Sequence, residues 1–157
     1  FDPDLTIHAD TIENISRFEE QLEAGLPSAN MFYAIRIDGT FDYIKTRSVP
    51  KQTRPYPKLA EVIKDQSEFE FYNTTGTIVG FWSPEFVSGL NVPGYHIHFL
   101  TADHTAGGHV LDLRMKNGEI KLDITPDFFM ALPTEGDFYQ VDLTEELGSA
   151  LETVEKN

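Results

Sequence analysis

Three of the five histidines in this 157-residue chain fall in a pattern that can do chemistry. In Tyr95-His96-Ile97-His98-Phe99, the alternation of an extended strand sends His96 and His98 off one face. Tyr95, Ile97 and Phe99 leave the other. His109 opens the next extended run after a short loop, so a hairpin brings it beside the pair. Three imidazoles on one wall leave coordination positions open, as at a catalytic rather than a structural zinc. The chain has no Cys, so zinc is the first choice, although iron, manganese and cobalt accept the same ligands. An isolated His-x-His is often no more than a polar strand face; Gly107-Gly108 ahead of His109 favours the metal reading. His104 is expected in solvent, and His8 has no partner in sequence.

A second group is basic. Lys45, Arg47, Lys51, Arg54 and Lys58 hold 5 of the 12 Lys and Arg residues, in a chain of formal charge −14. Such a cluster can take a small anion, and an arginine fork holds both oxygens of a carboxylate. Arg47, closing an extended run, is the sharpest candidate. The competing reading is a solvated loop paired with nearby acids. Glu85, Asp103, Asp112, Glu135, Glu152 and Glu155 are candidate bases or ligand partners, and spacing does not choose among them. Phe81, Trp82, Phe86, Phe128 and Phe129 are expected in the core or in a pocket wall. Gly76-x-x-x-Gly80 lacks the Lys-Ser/Thr of a phosphate loop.

The elements that must position these residues follow from periodicity. Asp10 with Glu13 reads as a helix start, Ile12, Ile15, Phe18 and Leu22 form its apolar stripe, and Gly25 with Pro27 ends it. Met31 to Ile37 and Phe41 to Thr46 read as strands joined by an Asp38-Gly39 hairpin turn. Pro50, Pro55 and Pro57 mark a loop, and Lys58 to Asp65 a short helix. Strands are expected at Gly76 to Trp82, Tyr95 to Thr101, His109 to Lys116 and Glu119 to Thr125, the last two joined by a second turn at Asn117-Gly118. A strand near Phe138 to Leu143 precedes a terminal helix capped by Thr144. The expected fold is α+β: a mixed, mainly antiparallel β-sheet with a few short helices, the metal site on sheet strands, and residues 1–157 in a single domain.

Composition narrows the function. A pI near 4.5 argues against nucleic acid or an anionic membrane as partner. No run of 18 apolar residues exists. The absence of Cys excludes disulfides, iron–sulfur centres and thiol catalysis, and fits a cytoplasmic location.

Several stretches together resemble the alpha-acetolactate decarboxylase family. They are Phe32-Tyr33-Ala34-Ile35-Arg36-Ile37-Asp38-Gly39, Lys45-Thr46-Arg47-Ser48, Gly76-Thr77-Ile78-Val79-Gly80-Phe81, Gly94-Tyr95-His96-Ile97-His98-Phe99 and Gly107-Gly108-His109-Val110. The resemblance implies zinc-dependent conversion of 2-acetolactate, a small anionic substrate, to (R)-acetoin and carbon dioxide. It implies that His96, His98 and His109 are the zinc ligands and Arg47 the active-site arginine. Glu155 matches a C-terminal glutamate of the site, with Glu152 its near competitor. A further metal-binding Glu of the family, in a Gly-Thr-Phe…Asp-Gly-Glu segment, has no counterpart here. With Phe1 in place of Met, this leads to the expectation that the chain is the family's C-terminal portion. Sheet edges left open by that loss point to a homodimer. A cupin-type metal enzyme, with Asp103 as the only substitute for its Glu, and a non-catalytic truncated domain are the alternatives.

Overall fold

The computed structural model describes residues 1–140 and 142. Five strands carry the fold: β1 (Leu5–Ala9), β2 (Phe32–Ser48), β3 (Ser67–Ser83), β4 (Gly94–Thr101) and β5 (Gly107–Thr125). Two helices accompany them, α1 (Ile15–Gly25) and the single turn α2 (Leu59–Val62), with short 3-10 turns at Ile63–Asp65, Glu85–Val87 and Gly136–Tyr139. The α+β expectation therefore holds, and all pairings between the five strands are antiparallel.

The strand order is β1-β5-β2-β3-β4, and β4 pairs back onto β5. Strands β2 to β5 thus close on themselves, while β1 extends the second half of β5. Alternation drives the closure: Ile37, Phe41 and Ile44 of β2, Ile78 of β3, Ile97 and Phe99 of β4, and Leu113, Met115 and Ile120 of β5 are all buried in one cluster. Each such side chain contributes about 1.5–3 kcal/mol by leaving water. Phe99 sits between Phe41 and Phe71, with both ring centroids 5.6 Å away. Helix α1 adds Phe18 and Leu22 to the same core.

The structure corrects four local expectations. The N-cap of α1 is Asn14, whose side chain accepts from the Arg17 amide at 2.9 Å, and not Asp10. Ile12 is buried through a strand-like bridge to Met115, which holds the preceding residues extended. Neither Asp38-Gly39 nor Asn117-Gly118 is a hairpin turn. Both lie within long strands, where Gly39 faces Gly118 on one side and Gly76 on the other. A type I′ turn requires φ > 0 at its central residues, and none of these four has it. They mark instead a crowded crossing: a Cβ on Gly39 would lie 2.8 Å from the Asn117 carbonyl oxygen. Bulges at Thr40/Phe41 and Phe41/Tyr43 then bend β2.

Strand β3 also begins nine residues earlier than Gly76, at Ser67, and β1 had no sequence expectation. Phe138 and Tyr139 belong to a 3-10 turn rather than a strand. Of the five aromatic residues expected in the core or a pocket wall, Trp82 is buried and Phe81 lines a cleft beside His96 and His98, whereas Phe86, Phe128 and Phe129 are exposed. Phe128 stacks on Phe32 at 5.6 Å instead of entering the core. The terminal helix, Glu152 and Glu155 lie outside the described residues.

Candidate metal centre

The register of β4 and β5 builds the site. Residues directly opposite on paired strands share a face, and His98 lies opposite His109. His96, two residues before His98, leaves that same face. The hairpin between them is tight: the Thr101 amide donates to the Ala106 carbonyl at 2.9 Å, and the Thr101 hydroxyl donates to that carbonyl and accepts from the Ala106 amide, at the ends of a short loop. Asp103 organises this loop. It accepts from Thr101 Oγ1 at 2.6 Å, the Thr105 amide at 3.1 Å and Thr105 Oγ1 at 2.9 Å, which lowers its pKa.

Glycines let β4 sit this close to its neighbours. A Cβ on Gly80 of β3 would collide with the His96 carbonyl oxygen and lie 2.7 Å from the Ile97 Cα. A Cβ on Gly107 would collide with the Phe99 carbonyl oxygen. The two-histidine strand is therefore held between backbone surfaces that tolerate no side chain.

The resulting geometry suits a cation. One ring nitrogen from each of His96, His98 and His109 lies within 4.8 Å of the others. His96 Nε2 and His98 Nε2 are 3.1 Å apart. Two nitrogens of a tetrahedral zinc with bonds of about 2.0–2.1 Å stand roughly 3.3 Å apart, so the pair fits with little adjustment. Two neutral imidazoles cannot point lone pairs at each other without a proton or a cation between them. The donor set is all imidazole nitrogen, which suits zinc, iron or cobalt. His109 is buried at 8% exposure, whereas His96 and His98 are open.

Arg47 belongs to the same row. It lies opposite His109 on one side and Glu68 on the other, so the sheet lines up His98, His109, Arg47 and Glu68 across four strands. Arg47 is only 6% exposed, and its Nη1 donates to Gln66 Oε1 at 3.1 Å. The rest of the basic group behaves differently. Lys45 is bound to Glu68 at 2.7 Å, and Arg54 lies over the Tyr56 ring. A cleft of about 560 Å3 opens beside the row, lined in part by His109, Tyr95, Ile97, Lys45, Glu68 and Asp112. Burial, with Glu23 and Glu19 nearby, pushes the Tyr95 hydroxyl pKa well up and keeps it neutral.

His104 sits in the hairpin loop, exposed, as expected. His8 lies on β1 with Nδ1 3.8 Å from Glu119. Asp103 faces its own loop and is not among the grouped metal-binding atoms, which removes the one residue that supported a cupin-like ligand set. Sequence reasoning missed Gln66 and Glu68. Neither sits in a motif, and only the pairing of β2 with β3 brings them to Arg47.

The fold and this row define a closed antiparallel sheet with a cluster of three imidazoles that could hold a cation, flanked by a buried arginine. Comparison with known proteins gives the family: a model of alpha-acetolactate decarboxylase matches residues 1–145, and the chain belongs to that family. An alpha-acetolactate decarboxylase of Methanosarcina mazei is 52% identical over 99% of this chain and 54% of its own length. One from Brevibacillus brevis is 43% identical, again over 99% of the chain and 54% of its own length. The crystal structure of alpha-acetolactate decarboxylase from Bacillus subtilis strain 168 superposes with a TM-score of 0.94 at 37% identity, covering 100% of this chain and 68% of that one. The chain thus spans about half the length of the curated relatives it matches. Among the described residues, no helix is long and apolar enough to cross a membrane.

Proposed function

We propose that these residues form the metal and carboxylate-binding part of a site that decarboxylates 2-acetolactate to (R)-acetoin. The observation that carries this reading is the single row in which His98, His109 and Arg47 lie side by side, with His96 completing the triad. His96, His98 and His109 are the residues that hold the metal, and zinc is the ion proposed. When bound, zinc supplies a Lewis-acidic charge for the hydroxyl and ketone oxygens of the substrate.

The remaining work falls to the protein. The bond between C1 and C2 breaks, its electron pair moves into the neighbouring ketone, and C2 then takes up one proton. Arg47 binds the departing carboxylate and fixes the plane in which that bond breaks. Its burial keeps water from competing for the same oxygens. Glu155, outside the described residues, is the proposed proton donor, with Glu152 the alternative. The substrate carries its own electron sink, so no organic cofactor is invoked. Residues 1–157 are proposed to act as one domain corresponding to the C-terminal portion of the longer relatives, in the cytoplasm, as a homodimer and without a nucleic-acid or membrane partner.

The test is acetoin formation from racemic 2-acetolactate by the zinc-loaded chain, against a no-protein control. The expected result is zinc-dependent turnover above the spontaneous rate, lost in His98→Ala and reduced at least a hundredfold in Arg47→Ala, an effect of the size expected for a charged hydrogen-bonded pair. A zinc-saturated wild type no faster than the control contradicts the assignment of this activity to the chain.

A further inference from the structure

Arg47 is a buried cation that can hold a carboxylate productively only if its guanidinium plane is fixed. Among the described residues, Gln66 touches it from outside the strand pair. Arg47 Nη1 donates to Gln66 Oε1 at 3.1 Å, across a sequence separation of 19. The backbone of Gln66 is itself held on both sides. Its N–H closes the 3-10 turn Ile63–Asp65 by donating to the Ile63 carbonyl at 3.2 Å. The next residue, Ser67, starts β3 opposite Ser48, and Glu68 follows opposite Arg47. A capped turn and a paired strand thus fix the amide at the end of the row containing Arg47, His109 and His98.

The chemistry of the partner matters as much as its place. An amide oxygen accepts from a guanidinium and orients it, yet adds no charge to the pair. A carboxylate in the same position would orient the arginine and also compete electrostatically with an anionic substrate.

We propose that Gln66 is a positioning residue, whose side-chain oxygen sets the orientation in which Arg47 receives the carboxylate of a 2-hydroxy acid at the triad. This deepens the decarboxylase reading and rests on it for the identity of the anion. The orientation of Arg47 is independent of that reading.

The experiment follows the guanidinium nitrogens of Arg47 by nitrogen-15 NMR in the full chain, in wild type and in Gln66→Met and Gln66→Glu. Met preserves side-chain length and volume and removes the acceptor. A hydrogen-bonded guanidinium rotates slowly and gives two resolved Nη signals; Gln66→Met is expected to merge them, and Gln66→Glu to keep them apart. With the zinc-loaded proteins, 2-hydroxy-2-methylpropanoate serves as the carboxylate probe. Its Kd is expected to rise about tenfold in Gln66→Met, the size of one charge-assisted hydrogen bond. A rise is also expected in Gln66→Glu, from charge rather than orientation. Unchanged Arg47 signals in Gln66→Met, with the backbone amide spectrum intact, overturn the proposal whatever the turnover. Merged signals in Gln66→Met alongside a wild type that forms no acetoin leave the positioning role standing and reject the decarboxylase reading.

Discussion

The chemistry turns on how a few side chains face one another. His96 and His98 hold their Nε2 atoms 3.1 Å apart on the open face of β4, and His109 meets them from β5 at 8% exposure. The triad was legible in the sequence because period-two alternation alone puts His96 and His98 on one face. Arg47 was legible as a residue type, but its burial and its partner were not. Further along the same sheet, Tyr43 and Tyr72 share the carboxylate of Glu70, at 3.0 and 2.7 Å. Desolvation, and then the hydrogen bond to Glu70, raise the Tyr43 pKa to about 12, and Tyr72 moves up mainly through the same carboxylate. A raised folded-state pKa means that the linked stability is fully present below the unfolded value of about 10 and is lost as pH rises through the folded one. In a tyrosinate absorbance titration, the step that disappears in Tyr43→Phe is therefore expected near pH 12. A Tyr43 step at its ordinary position near pH 10 contradicts the Glu70 contact.

At the scale of elements, β4 is the part on which the site depends. It carries two of the three histidines, pairs with both β3 and β5, and fits against Gly80 and Gly107 with no room for a Cβ. Gly107→Ala is expected to push β5 away from Phe99, lower the Tm by several degrees and weaken zinc binding at least tenfold, since overpacking costs about 1–3 kcal/mol. Calorimetry with a competing chelator measures both; wild-type zinc affinity in this variant contradicts the cradle. Strand β4 and its hairpin to β5 were readable because their turn is local. The long strands were not. Asp38-Gly39 and Asn117-Gly118 carry the composition of hairpin turns, but here each glycine makes room for a neighbouring strand, and only the register distinguishes the two uses. Ser67 to Thr75 was missed although Glu68-Phe69-Glu70-Phe71 alternates: the apolar stretch is short, runs into the polar Asn73-Thr74-Thr75, and belongs to a half of β3 that pairs with β2 alone and is mostly exposed.

Over the whole molecule, charge and apolar surface oppose each other. The formal charge of −14 drives copies apart at low ionic strength. Yet Val79 and Phe81 lie opposite His98 and His96, and remain 49% and 56% exposed on the face that those histidines share. Leu100 adds to this face. The proposed homodimer is expected to use it, so association should strengthen with salt as repulsion is screened. Sedimentation velocity at 20 and 300 mM salt measures this, with Phe81→Lys expected to remain monomeric at both. Weaker association at high salt, or a Phe81→Lys variant that still dimerises, contradicts an apolar interface on this face. The closed sheet itself was only partly foreseeable: the antiparallel class and the β4–β5 hairpin followed from the strand patterns, but the pairing of β2 with both β3 and β5, which completes the closure, appears only once the chain is folded.

The central claim is that three imidazoles on β4 and β5 hold one metal ion. X-ray absorption at the zinc edge of the zinc-loaded chain tests it most directly. The account predicts one zinc per chain with three imidazole nitrogens at about 2.0–2.1 Å, falling to two in His98→Ala. Fewer than three imidazoles in the wild type, or a spectrum that His98→Ala leaves unchanged, contradicts it.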